Sequence, residues 1–256
     1  MRKQIPVLFS TPMVQAVYPR EAKTQTRRTS GLDRINENPD LWEFERFEEN
    51  VKGGLNAVFR PKGGFSLDPD WRESVPCRYG RKGDMLWVRE TWRKYYKVDE
   101  AGYTQLDEEI FDYAADGDHI PLPMVDGDGF TMYDKKGNER YIPWRPNIHM
   151  PKVRARIWLE VTDIRVERLQ DISEEDAKAE GVDRVYQDSD GNFWYEASDF
   201  LREDTELRTY KDGFKQIWYM INGKKSWTAN PWVWVVSFRV LSTTGKPAGL
   251  EKEVGA

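Results

Sequence analysis

The stretch that most limits what this chain can become is Asn230-Pro231-Trp232-Val233-Trp234-Val235-Val236-Ser237-Phe238. Trp232, Trp234, Val236 and Phe238 share one side of an extended backbone, and β-branched residues fill positions between them, so the run reads as a strand ending in Phe238. A second run, Gly83-Asp84-Met85-Leu86-Trp87-Val88-Arg89-Glu90-Thr91-Trp92, opens on a turn signal and continues as a strand. Alternation puts Leu86, Val88, Glu90 and Trp92 on one side and Trp87, Arg89 and Thr91 on the other. If the apolar side faces the core, Glu90 is carried inward, where a carboxylate needs a partner; a structural ion pair and a pocket role both remain open. Ile5 to Phe9 reads as a buried strand, and the Ile157/Leu159/Val161 alternation marks another over Ala155 to Val166.

Three helices join these strands. Thr11 as N-cap and Pro12 at the first helical position predict a helix that buries Met13, Val14 and Val17 and ends at Pro19. Ser173 caps a short helix with acidic residues in its first turn and Gly181 at its stop. Glu180 falls in the last turn, where the helix dipole disfavours a carboxylate, so a nearby cation is expected. Leu207, Tyr210, Phe214, Ile217, Trp218 and Ile221 recur at helical spacing up to Asn222-Gly223 and read as a core stripe. Between these elements, segments at about 31–74, 95–142 and 186–204 are polar and punctuated by Gly or Pro. They are read as surface insertions in a single domain covering 1–243, the first with a short helix near Leu41 to Val51 and the second with a hairpin around Tyr133 to Asn138. Residues 244–256 are read as a disordered tail.

The chain carries 39 basic and 44 acidic residues, net -5, so no global field draws it to nucleic acid and any such contact is local. Lys152, Arg154 and Arg156 repeat every second residue; a solvated strand face is favoured there over a phosphate track. Cys77 is alone, which excludes an internal disulfide, and with only His119 and His149 beside it there is no zinc-ligand spacing. Asp126-Gly127-Asp128-Gly129 lacks the ligand pattern of a calcium loop. No metal or other cofactor is therefore expected. No apolar run approaches membrane-spanning length, so the expectation is a cytoplasmic protein without membrane contact.

The chemistry concentrates in Lys23-Thr24-Gln25-Thr26-Arg27-Arg28: an ammonium whose pKa burial can lower, two hydroxyls, and guanidinium forks suited to phosphate or base edges. Taken alone, such a cluster is more often solvated surface. Taken in order with GDMLWVRETW, LQDISEEDAKAEG and NPWVWVVSF, it resembles the ASCH domain of the PUA-like superfamily, above all the long phage and prophage versions. The likeness covers about half of the chain. It implies an α+β fold: a small, mostly antiparallel β-barrel with flanking helices, large loop insertions and a cleft beside the first helix that takes RNA or a modified nucleoside.

In the small bacterial member that removes the acetyl group from N4-acetylcytidine, the catalytic groups are a Lys, a Thr three residues later and a Glu in the short helix. The resemblance carries these to Lys23, Thr26 and Glu180; Thr24, Arg27, Arg28, Arg89, Glu90, Trp92 and Arg145 are expected beside them as substrate- or nucleic-acid-binding residues. Recognition of RNA, single-stranded nucleic acid or a modified nucleoside ranks first. A metal-independent amidohydrolase ranks second, and a phage-encoded module that binds a host protein third. One geometric condition attaches: residues i and i+3 lie on opposite faces of a regular strand, so Lys23 and Thr26 converge only if the chain turns or bulges between them. The approach Tyr18-Pro19-Arg20-Glu21-Ala22 also lacks the glycine-containing turn of the small enzymes, which puts the activity in question more than the fold.

Overall fold

The computed structural model describes residues 2–63, 68, 70–98, 104–117, 122–126, 130–182, 185–187, 193–195 and 209–248. Along the chain run β1 (Gln4–Leu8), α1 (Thr11–Val17), β2 (Gln25–Arg28), α2 (Asp33–Asn36), β3 (Trp42–Glu49), β4 (Leu55–Pro61), β5 (Glu73–Pro76), β6 (Met85–Arg89), β7 (Trp92–Val98) and β8 (Thr104–Tyr113). There follow β9 (Trp158–Arg168), α3 (Glu174–Ala179), β10 (Val185–Gln187), β11 (Phe193–Tyr195), α4 (Tyr210–Asn222), α5 (Lys224–Thr228) and β12 (Trp232–Ser242). The fold is α+β, with mostly antiparallel sheets and few helices.

Five strands form the main sheet in the order β1-β6-β9-β12-β2, in which β1 and β6 are the one parallel pair. In a flat sheet the two outer strands would stand about 19 Å apart, four strand spacings. Instead the guanidinium of Arg28 at the end of β2 donates from Nη2 to the carbonyl of Leu8 at the end of β1, 2.8 Å away. The sheet is therefore strongly curled, although no ladder joins β1 to β2 among the described residues.

The closing run forms β12, and both of its faces are buried. Trp232, Trp234, Val236 and Phe238 join the main core with Phe9, Leu86, Val88 and Leu159. Val233 and Val235 point the other way, into a second core with Leu169, Phe214, Trp218 and Trp227. Trp234 and Val235, adjacent in sequence and on opposite faces, are each 0% exposed. Each such side chain contributes about 1.5–3 kcal/mol by leaving water.

The segment at 31–74 is not a surface insertion, and the helix expected near Leu41 to Val51 is a strand. α2 and the sheet β3-β4-β5 send Leu32, Ile35, Trp42, Ala57 and Phe59 into the main core. A register shift between Phe44 and Arg46 explains the misreading. It lets Trp42, Phe44 and Phe47 all pack on the core despite spacings of two and then three, a pattern that imitates a helix period.

The segment at 95–142 likewise adds structure: β7 and β8 pair, and Phe111 and Tyr113 pack on a third core of Trp87, Trp92, Met150, Ala155 and Trp158. The turn near Tyr133 forms as expected, with the Asp134 carboxylate accepting from the backbone N–H groups of Lys136 and Asn138.

Three further expectations shift. Ser10, not Thr11, is the N-cap of α1, so Pro12 is its second residue. β9 begins at Trp158 rather than Ala155, because Pro151 opens a 3-10 turn over Lys152–Arg154; no basic stripe forms on a strand there. Gly223 stops α4 as expected, at φ +78°. Leu207, most of 186–204, Gly127 to Gly129 and the tail beyond residue 248 lie outside the described residues. Among the described residues no helix is long and apolar enough to cross a membrane.

Candidate functional site

The path into β2 resolves the geometric condition on Lys23 and Thr26. After α1 the chain turns through Glu21, at φ +53°, and the N–H groups of Ala22 and Lys23 both donate to the Ala16 carbonyl, at 2.8 and 2.9 Å. Lys23 then makes an isolated antiparallel bridge to Glu180, and the Thr24 N–H donates to the Ala179 carbonyl. Regular pairing with β12 starts only at Gln25. Lys23 thus lies outside the strand, and its side chain borders the same cavity as that of Thr26.

The Ser173 hydroxyl accepts from the Asp176 N–H at 3.0 Å and starts α3, which delivers Glu180 to this point. Gly181 completes the approach at φ +89°. A Cβ there would stand 2.8 Å from the Ala16 Cβ and 3.0 Å from the Lys23 Cβ, so only glycine lets the end of α3 pack against the end of α1.

Lys23 Nζ donates to Glu180 Oε2 and to the Glu180 carbonyl, both at 2.7 Å, and the two side chains are 2% and 7% exposed. Burial lowers the Lys23 pKa; the Glu180 carboxylate opposes that shift, while Arg28 and Arg27 add to it. The other Glu180 oxygen, Oε1, accepts from Arg27 Nη1 at 3.2 Å. Its Nε and Nη2 donate to Glu167 and Nη2 also to Asp176, and its guanidinium lies 5.7 Å from the centre of the Phe214 ring. Arg27 is therefore a positioning residue that holds Glu180 in place, not a free fork for phosphate.

The cavity measures about 950 Å³ and is bordered by both outer strands of the curled sheet. Its lining joins polar Lys23, Thr26, Arg28 and Glu180 to apolar Met13 and Ala16 of α1 and Phe214, Ile217, Trp218 and Ile221 of α4. The Thr26 side chain is buried against it and makes no hydrogen bond among the described residues. Arg28 also faces it, with its guanidinium over the Phe9 ring at 5.6 Å.

The other expected site residues fall elsewhere. Thr24 is exposed and serves the ladder through its main chain. Glu90 is turned inward as the alternation implied, but it meets Arg156 in a two-pronged pair at 3.0 and 2.9 Å, and Arg156 also binds Asp116. Burial raises the Glu90 pKa and the Arg156 bonds pull against it.

Trp92 stacks on Phe111 at 5.9 Å, and Arg145 covers its ring at 5.2 Å while exchanging backbone hydrogen bonds with it. Arg89 donates to the Ile148 carbonyl and lies over Trp87. Trp92 belongs to the third core, Arg89, Glu90 and Arg145 lie beside it, and none of the four lines the cavity, so a single pocket containing both groups is corrected.

Sequence reasoning missed Arg78, Tyr79 and Ser30 at the cavity edge, and the α4 wall. Pro76 to Gly80 carried only a turn signal. The α4 stripe did carry one: it runs on to Ile221, 60% exposed, beyond what the core covers. No family model, curated protein or solved structure matches the chain.

Proposed function

We propose that the cavity is a base-recognition pocket for a nucleobase of RNA or single-stranded nucleic acid, or for a modified nucleoside, set in an ASCH-like barrel of the PUA type. The observation that carries this reading is the gathering of Lys23, Thr26 and Glu180 at one hollow. A base needs flat apolar walls and a few fixed polar groups for its edges. Met13, Ile217 and Trp218 supply the walls. The unbonded Thr26 hydroxyl and the remaining Lys23 N–H supply edge contacts, and Glu180, fixed by Arg27, sets the direction of the lysine. The curl of the five-stranded sheet suits a barrel with an open seam at this hollow.

Amide hydrolysis of an N-acylated base is the second reading, favoured by the lowered Lys23 pKa. Thr26 Oγ1 would attack the acyl carbon and pass its proton to neutral Lys23, which returns it to the departing amine; water then frees the acyl group. Recognition ranks first because the Lys23 ammonium is engaged twice by Glu180, and a base role requires that proton to leave.

Calorimetric titration with cytidine, N4-acetylcytidine and short single-stranded RNA and DNA tests both. Binding that is lost in Lys23→Ala is expected, and absence of binding to every one of these ligands refutes the proposal. Chromatography of the N4-acetylcytidine mixture decides the second reading: equal background turnover by wild type and Lys23→Ala removes it.

A further inference from the structure

Among the described residues bordering the cavity, Arg20, Lys23, Arg27, Arg28 and Arg78 are cationic and Glu180 is the one carboxylate. That carboxylate is already shared between Lys23 and Arg27. Arg28 and Arg78 have no ion pair among the described residues, in a chain whose net charge is -5.

Arg28 lines the cavity and makes a single hydrogen bond, from Nη2 to the Leu8 carbonyl, so its Nη1 has no partner among the described residues and, unlike Nε, is not sealed from the hollow. A partly buried guanidinium with unused donors is best satisfied by an anion from outside the chain. Arg78 is exposed and passes over Gly31, where an added Cβ would lie 3.2 Å from its Nε. Thr29 and Ser30 line the same cavity, and the Ser30 hydroxyl bonds to that of Tyr79, which lies within electrostatic reach of both Arg28 and Arg78. A fork with unused donors beside hydroxyls matches a tetrahedral oxyanion better than a neutral group.

We propose that Arg28 and Arg78, with Thr29 and Ser30, form a phosphate seat at the edge of the cavity, so that its ligand is a nucleotide or a residue within a strand rather than a free nucleoside. This rests on the base-recognition reading, which supplies the group held beyond the phosphate. It also accounts for the size of the hollow, which is near the top of the range of about 300–1,000 Å³ that holds drug-sized ligands.

The test is calorimetry with cytidine, N4-acetylcytidine, their 5′-monophosphates, a dinucleoside monophosphate and inorganic phosphate. The monophosphates should bind at least about tenfold more tightly than the nucleosides, the equivalent of one charge-assisted hydrogen bond. Arg78→Ala should collapse that ratio towards one, whereas Arg140→Ala, an exposed arginine away from the cavity, should preserve it.

A dinucleoside monophosphate that keeps the gain assigns the seat to an internal phosphodiester; one that loses it assigns the seat to a terminal phosphate, and both support the proposal. Equal affinity for nucleoside and nucleotide overturns it while leaving base recognition standing, as does an equal fall in the ratio in both variants. Binding of inorganic phosphate that Arg78→Ala abolishes, with no nucleoside bound, upholds the seat and sinks the base reading. Failure of every ligand to bind ends both.

Discussion

Replacing Glu180 with Gln tests whether the lysine at the centre of the site is held as a buried ammonium. Arg27 would keep Glu167 and Asp176, so the loss falls on Lys23, whose side chain is 2% exposed and which retains the main-chain carbonyl at 180 and at most a neutral amide oxygen in place of the carboxylate. Removing one partner of a buried pair costs about 3–5 kcal/mol. The cost has a ceiling, since Lys23 can enter the fold neutral. From a reference near 10.4, shedding the proton at pH 7 costs about 1.36 × 3.4, or about 4.6 kcal/mol, and at pH 9 only about 1.9 kcal/mol.

The sign follows from linkage. The folded variant releases the Lys23 proton below 10.4 while the unfolded chain keeps it, so the unfolded state binds more protons and the variant gains stability relative to wild type as pH rises. Urea unfolding followed through the fluorescence of the 11 tryptophans, at pH 7, 8 and 9, reads this directly. Lys23→Met/Glu180→Gln, which removes the orphaned charge, should recover more than half of the loss. A pH-independent loss under about 1 kcal/mol, the size of an exposed pair, would refute the reasoning.

Two further changes separate packing from binding. Gly181→Ala should cost about 2 kcal/mol or more, through its positive φ and the approach to Ala16 and Lys23, while Gly137→Ala, at φ +82° with open space around it, should cost only about 1–2 kcal/mol; equal urea midpoints for the two would show that close packing at Gly181 is unimportant. Arg156→Met should cost about 3–5 kcal/mol at neutral pH. Burial raises the Glu90 pKa and Arg156 opposes that rise, so in the variant the folded state takes up a proton more readily than the unfolded chain, and this loss should shrink as pH falls towards 5. Ligand affinity at the cavity should not change; a drop in affinity without loss of stability would return Glu90 to the site.

Legibility followed the range of the interaction that decides each element. β12, β6, α3 and the stop of α4 were readable because alternation, a Ser cap and Gly stops are local. The Lys23–Glu180 contact was legible only through the cation that a carboxylate in the last turn of α3 requires, together with the family resemblance. β3 was misread because its core-facing residues break the two-residue period, and the bulge that reconciles them with a strand is fixed by pairing with β4. Arg27 and Glu90 show the same limit: their polar partners Glu167, Asp176 and Arg156 come from distant parts of the chain, and no spacing within the local run announces them. Nor does any local pattern indicate that the ends of β1 and β2 meet.

One strand serving two cores has a consequence for any guest of the hollow. Peeling α4 away from Val233 and Val235 would bare the underside of the backbone whose upper side anchors Trp232 and Trp234, so neither half loosens without the other. Thr26 pairs with Val236 in that same ladder. The polar groups of the hollow are thus mounted on a strand anchored on both faces, and a ligand should spend little of its binding energy on ordering that part of the host.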